Sequence, residues 1–117
     1  MLTKAVLDDP VLHARLKGIG VLAKEDAVRY AVVGPTARAS GVAVDVRRDD
    51  PYAAYGELDW NVITQPQGDV FAKAVVRLLE TFESIKIVRQ AHGLAETKKA
   101  RLTNARIWLR RRVMKSD

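Results

Sequence analysis

The stretch Gly34–Tyr52 constrains the fold of this chain more than any other segment. It reads GPTARASGVAVDVRRDDPY, and glycine and proline punctuate it at both ends. After Gly41 the valines at positions 42, 44 and 46 alternate with other residues, a period of two that is typical of a β-strand. The sequence therefore predicts a polar loop carrying Arg38, followed by a short strand. The strand should end at Asp50-Pro51, because proline lacks a backbone donor and restricts the residue before it.

A second strand is predicted downstream over Leu58–Ile63, where Leu58, Trp60 and Val62 fall on one side. The linker between the two strands contains the aromatic turn around Tyr52 and Tyr55, which favours antiparallel pairing without requiring it. The predicted fold class is accordingly α+β, mainly helical with a small antiparallel β-sheet.

Two short helices are predicted before the central stretch. Asp8-Asp9-Pro10 opens the first, with an aspartate placed to cap it, Pro10 at its first helical position and Gly18 at its end. The second should begin at Lys24 and stop at Gly34-Pro35, with an inner face formed by Val28, Ala31 and Val32.

The longest helix is predicted to begin after Asp69, whose carboxylate is placed to cap it, and to stop at His92-Gly93. Its apolar residues recur at spacings of four and three, a stripe one helix face wide that comprises Phe71, Val75, Leu78, Phe82 and Ile85.

The basic charge of the chain is concentrated in its tail. Residues 98–117 contain eight basic side chains and one acid, whereas residues 1–97 contain 12 basic and 13 acidic side chains. The tail contains no proline or glycine, so a further helix is predicted there, lined by Leu102, Ala105, Leu109 and Val113. We therefore divide the chain into a core, residues 1–93, and a basic helical tail, residues 94–117.

The absence of cysteine excludes disulfides and thiolate metal sites from this sequence. Neither histidine, His13 or His92, has the spacing of a zinc site, so no metal ligand is predicted. No apolar run approaches the roughly 20 residues that cross a bilayer. These observations lead us to expect a cytoplasmic chain with a single modest core.

The run GPTARASGVAVDVRRDDPYAAY resembles the large subunit of membrane-bound, energy-converting nickel–iron hydrogenases and the homologous D-type subunit of NADH:quinone oxidoreductase (complex I). The resemblance begins near Leu12, includes Lys17–Ala27, and continues through Gly68-Asp69, Arg77, Glu80 and Ser84–Gln90. The sequence GPTARASG is closer to the version of this motif in the hydrogenase branch than to the version in complex I. Residues 94–117 lie outside the resemblance.

The resemblance implies a parent complex that transfers electrons and couples this transfer to ion translocation across a membrane. The expected partners are the other subunits of that assembly; self-association of the isolated chain stays open, and nucleic acid is not expected. The nickel–iron centre of the family requires four cysteine thiolates. This chain has none, so no cofactor is expected in it, and the centre, or the quinone and NADH, would belong to the rest of the complex.

Arg38, Asp45 and Arg47 are the polar residues of the central stretch that match the family motif. One interpretation makes them weak cofactor-binding candidates that face the metal or quinone cavity. The alternative is a structural Arg–Asp–Arg network that pins the loop to the strand, which we favour because buried charges need such partners. No catalytic residue is predicted.

We interpret the chain as an internal, scaffold portion of such a large subunit, inactive on its own and located in the intact complex at the cytoplasmic face of the membrane. The rival hypothesis is a small non-enzymatic binding module whose basic tail contacts nucleic acid or a membrane surface.

Overall fold

The computed structural model describes the backbone of residues 2–113 and the side chains of residues 3–103. Within this range the chain forms six α-helices, one 3-10 turn and no β-strand. The helices are α1 (Leu2–Leu7), α2 (Pro10–Leu16), α3 (Lys24–Arg29), α4 (Gly34–Ala39), α5 (Val46–Asp49) and α6 (Val70–Val113), and the 3-10 turn, Tyr55–Glu57, lies between α5 and α6.

The predicted antiparallel sheet is wrong. Residues 42–45 form no strand, and the chain turns into α5 at Val46 because Asp45, whose backbone is extended, caps that helix. The segment Leu58–Ile63 also forms no strand; instead, helix side chains bond its backbone. Gln90 Oε1 accepts from Asp59 N at 2.9 Å, and Glu83 Oε2 accepts from Asn61 N at 2.9 Å. Side chains of α6 thus satisfy the backbone groups that a second strand would have paired.

The residues around Gly34 also depart from the sequence-based expectation. The helix that begins at Lys24 ends at Arg29, and Ala31 adopts a positive φ of 50°. Ala27 is its buried residue, whereas Val28 is exposed. Gly34-Pro35 starts α4, with proline in the first turn where its missing N–H costs nothing. The predicted polar loop is therefore a helix, and Arg38 lies on it.

The prediction for the start of α2 is confirmed. Asp9 Oδ1 accepts hydrogen bonds from Val11 N at 2.7 Å and Leu12 N at 3.2 Å, and Pro10 occupies the first turn. The helix ends at Leu16, and Gly18 follows with φ +71°.

The core lies where α4 crosses the beginning of α6. It is built from the small side chains of Ala39, Ala72 and Val76, with Ile63 packed against them. Small side chains let the two helix backbones approach closely. Of the predicted stripe, Val75 is buried, whereas the later members Phe82 and Ile85 remain 48% and 43% exposed, so the buried face of α6 coincides with the predicted stripe only in part.

The predicted stop at His92-Gly93 is wrong, because α6 continues through both residues to Val113. At about 1.5 Å per residue this helix extends for roughly 66 Å, which accounts for most of the 79 Å length of the chain. The radius of gyration is 21.9 Å, against about 13 Å for a compact domain of this length. The molecule is thus elongated and only 12 Å thick in its shortest dimension. None of the helices in the described range is long and apolar enough to cross a membrane.

Asp69 caps α6, as predicted, and also joins it to the segment after α2. Oδ1 accepts from Ala72 N at 2.7 Å, and Oδ2 accepts from Gly18 N at 2.9 Å. Burial raises the pKa of this carboxyl, but the two amide hydrogen bonds, aided by Lys17 and Lys73, outweigh burial and bring the pKa below its ordinary value of 3.8. The residue is 6% exposed and charged at neutral pH.

Acid should destabilise the fold through Asp69. Because its folded pKa is lowered, its contribution to the free energy of unfolding is full above roughly pH 4 and is lost as the pH falls through the folded pKa. Asn at this position cannot accept from both amides, so Asp69→Asn should cost about 1–3 kcal/mol at neutral pH and reduce the acid dependence. Urea unfolding followed by circular dichroism at several pH values measures both effects. The exposed Asp26→Asn serves as control, and an unchanged acid slope in Asp69→Asn would contradict the assignment.

Candidate functional site

Three helices meet at a buried ion-pair network centred on Arg38. This residue lies on α4 and is 7% exposed, and Asp45, which precedes α5, is 6% exposed. Arg38 Nε donates to Glu80 Oε1 on α6 at 2.5 Å, and Nη1 donates to Val44 O at 3.2 Å. The same Nη1 lies 3.4 Å from Asp45 Oδ2. One guanidinium thereby joins α4, the start of α5 and α6.

Asp45 holds the second arginine of the network. Arg47 Nε and Nη2 donate to Asp45 Oδ1 and Oδ2 at 2.9 and 2.7 Å, a bidentate pair. Asp45 Oδ1 also accepts from Arg47 N at 3.1 Å, and Asp49 Oδ2 accepts from Asp45 N at 3.0 Å. The pairing of Asp45 with Arg47 therefore arises from the capping of α5, and not from neighbouring positions on a strand face.

The charges of Asp45 and Arg47 are stable near neutral pH. The hydrogen bond from Arg47 lowers the pKa of Asp45; burial opposes this effect, and the charges of Arg47 and Arg38 reinforce it. Asp45 in turn raises the pKa of Arg47 above its ordinary value. Asp45 therefore stays deprotonated and Arg47 stays protonated near pH 7. Such a pair holds segments of the chain together and is not suited to general acid–base catalysis.

Trp60 lies next to the network and is 3% exposed. The guanidinium carbons of Arg47 and Arg48 lie 4.8 and 5.3 Å from its ring centroid, and Arg48 Nη2 donates to its carbonyl oxygen. The ring of Tyr55 stands 6.3 Å away, edge-on. Arginine cations over an aromatic face add attraction to the ion pairs.

Sequence reasoning misses two members of the site. Glu80 belongs to the resemblance, but its pairing with Arg38 joins residues 42 positions apart, which no local pattern indicates. Trp60 is expected on a strand face, whereas its contact with two arginines depends on the path of the chain after α5. The structure does bring Arg38, Asp45 and Arg47 together; that they bind a cofactor stays a prediction.

An open concavity of about 530 Å³ lies beside the network. Arg38, Asp45 and Arg47 line it together with exposed apolar side chains, among them Val33, Val44 and Tyr52. In the described part of the chain, no group of three or more His, Cys, Asp or Glu side chains is placed to hold a metal ion. Nickel–iron centres need thiolates, so the residues present do not fit that cofactor.

The family model for the respiratory-chain NADH dehydrogenase 49 Kd subunit matches residues 1–117. The chain belongs to this family. The H-type subunit of NAD(P)H-quinone oxidoreductase from a Synechococcus species is 46% identical over 88 residues, which cover 75% of this chain and 22% of that protein. A D-type subunit of NADH-quinone oxidoreductase from Chloroherpeton thalassium is 51% identical over 77 residues, which cover 66% of this chain and 18% of that protein. The resemblance inferred from the central stretch is thus confirmed.

A solved structure supports the same relationship. A chain of the membrane-bound sulfane sulfur reductase, described as an archaeal respiratory membrane complex, aligns with a TM-score of 0.67 and 38% identity. The alignment covers 76% of this chain and 26% of that chain. The chain therefore spans about a fifth of the length of the two oxidoreductase subunits and about a quarter of this structural relative. The closer likeness to the hydrogenase branch stays a prediction.

Proposed function

We propose that this chain is a scaffold portion of the large subunit of a membrane-bound oxidoreductase of the NADH:quinone oxidoreductase or energy-converting hydrogenase type. The intact complex would couple electron transfer to ion translocation. The observation that carries the proposal is the network of Arg38, Asp45 and Glu80, which fastens the central motif stretch, with α4 and the start of α5, to α6. This chain would hold its helices in fixed relative positions within the subunit, and it would not perform the redox step.

The redox centre would lie in other parts of the complex. Nickel–iron chemistry requires cysteine thiolates, and the sequence contains none. A quinone or NADH would likewise bind outside the residues that the chain supplies. The names of the relatives support a place in a membrane-associated respiratory assembly, where the other subunits are its partners. Within that assembly the chain would lie at the cytoplasmic face of the membrane.

The elongated shape is consistent with a part that needs partners. Many large apolar side chains in the described region are exposed, including Val33 at 73%, Val88 at 67% and Tyr30 at 66%. Val33, Val44 and Tyr52 line one concavity together, and contiguous exposed apolar surface on a soluble protein is typical of interaction sites. A scaffold portion would bury this surface against other polypeptides of the complex.

Affinity purification from the membranes of cells that encode the chain tests the proposal. With an affinity tag on the full chain, we expect native electrophoresis to place it in a high-mass complex. Mass spectrometry should identify the other bands as oxidoreductase subunits. Asp45→Ala, which breaks the network, should reduce recovery of the complex, whereas the exposed Asp50→Ala should not. A chain found only free in the soluble fraction would overturn the proposal.

The rival function, binding through the basic tail, makes a different prediction in the same preparation. Exposed Lys98, Lys99 and Arg101 begin the basic part of α6, and the apolar positions predicted at Ala105, Leu109 and Val113 lie outside the described side chains. If nucleic acid copurifies and is released steeply by salt, phosphate contacts dominate and the binding-module hypothesis replaces the scaffold.

A further inference from the structure

Helix α6 has two different apolar faces. One packs on the rest of the chain through Ala72, Val76 and Ile87. The other, which we call the outer stripe, consists of Leu78, Phe82 and Ile85, with the cation Arg89 one turn further along the same face. At 100° per residue it lies roughly 140° around the helix from the packed face. A helix with apolar residues on two sides is built to contact more than one neighbour.

A groove runs beside the outer stripe. It has a volume of about 490 Å³ and is lined by Asp59 and by residues of α6, namely Phe82, Ile85, Lys86, Arg89 and Gln90. Phe82 and Ile85 are the large apolar side chains of this groove, and both are more than two-fifths exposed.

At its N-terminal end, this row of residues on α6 is already covered by a helix. There α2 packs on α6, with the rings of His13 and Phe71 in edge contact at 4.6 Å and Lys17 Nζ 5.1 Å from the centroid of Phe71. Phe71 and Val75 continue into Leu78, Phe82 and Ile85 at spacings of four and three residues, the repeat of helix–helix seams. The uncovered part of the line therefore has the pattern that suits a second helix.

Charge decides which kind of helix fits. Lys86 Nζ pairs with Asp59 at 3.0 Å, while Arg89 has no ion pair among the residues whose side chains are described. Between Val70 and Gly93, the part of α6 that carries the stripe, there are four basic and two acidic residues, so two copies paired along this part would bring an excess of positive charge together. An acidic helix would instead be attracted, because opposite charges across an interface favour the pairing.

We propose that the outer stripe is the docking surface for an acidic amphipathic helix of a separate polypeptide. Its apolar side chains would cover Phe82 and Ile85, and its carboxylates would pair with Arg89. The inference rests on the proposed function, in which the chain is one part of an assembly, and it names the chemistry of one partner and the place where it binds.

Two synthetic peptides of about three heptads each provide the test. Both carry leucine at the a and d positions; one has glutamate and the other lysine at the flanking positions. Fluorescence anisotropy with the full chain should show the glutamate peptide binding at least about tenfold more tightly than the lysine peptide. The difference should shrink at high salt because screening weakens the exposed charge pairs.

Variants of the full chain place the binding on the stripe. Phe82→Glu should weaken the glutamate peptide by at least about tenfold, and Arg89→Glu should reverse the preference in favour of the lysine peptide. Val28→Glu, a matched change at an exposed valine of α3, should leave both affinities unchanged. Circular dichroism confirms that each variant is folded.

Equal binding of both peptides, or binding that survives Phe82→Glu, would overturn the proposal. So would a dimer of the chain in sedimentation that Phe82→Glu abolishes, because it would assign the stripe to a second copy. A chain that copurifies with oxidoreductase subunits but binds neither peptide would reject this inference alone. The scaffold proposal is rejected only by absence from the complex.

Discussion

Gly68→Ala should prevent the chain from reaching its native fold. Gly68 adopts φ +70°, and a Cβ atom there would stand 2.2 Å from the carbonyl oxygen of Leu22 and 3.1 Å from the carbonyl carbon. Both atoms belong to the backbone, so the clash cannot be relieved by moving a side chain. We expect a loss of at least about 4 kcal/mol in the free energy of unfolding, because strain and lost backbone contacts add together.

The surroundings of Gly68 explain why the effect should be global. Gly68 N donates to Ala39 O at 2.8 Å, and Leu22 N donates to Gly68 O at 3.1 Å. Val70 N, two residues later, donates to Ile19 O at 3.0 Å. These bonds hold the end of α4, the segment after α2 and the beginning of α6 together, so displacement of Gly68 separates all three.

Gly93→Ala provides the control for that experiment. Gly93 lies inside α6, and a Cβ there would meet no atom within 4 Å. Alanine favours a helix over glycine by about 1 kcal/mol, so this variant should be slightly more stable than the parent. Urea unfolding monitored by circular dichroism measures both variants. Similar stability of Gly68→Ala and Gly93→Ala would show that the backbone crossing at Gly68 does not form.

Asp45→Ala should cost about 3–5 kcal/mol, because it removes one partner from a buried ion-pair network. Arg38 would lose its contact with Asp45, and Arg47 would lose a bidentate acceptor. The loss of the cap on α5 adds to the cost, since the amide of Arg47 would have no side-chain acceptor.

The exposed Asp50→Ala is the matched control for Asp45→Ala. Asp50 lies at the other end of α5, where we expect a change of about 0.5 kcal/mol or less. Chemical denaturation at neutral pH compares the two variants with the parent. Equal, small effects would mean that Asp45 is open to solvent and contributes to the molecule in some other way.

The sequence alone is sufficient for features that depend on a few neighbouring residues. It identifies Asp9-Pro10 and Asp69 as helix starts, because a carboxylate next to free amides stabilises a helix wherever it is placed. The alternation of Val42, Val44 and Val46 leads to a wrong prediction because it, too, depends only on neighbouring residues. A period of two describes an extended chain, but whether it pairs as a strand depends on a partner elsewhere.

The motif in Gly34–Tyr52 is enough to assign the family, since its residue order is specific. Only the tertiary structure shows what its charged residues contact: Glu80 reaches Arg38 across 42 residues, and Arg47 and Arg48 lie over Trp60. It also decides which face of α6 is buried, because the small side chains of Ala39, Ala72 and Val76 permit a close helix crossing that larger residues would block. Local pattern determines where a helix begins, while long-range packing determines which side of it faces the core.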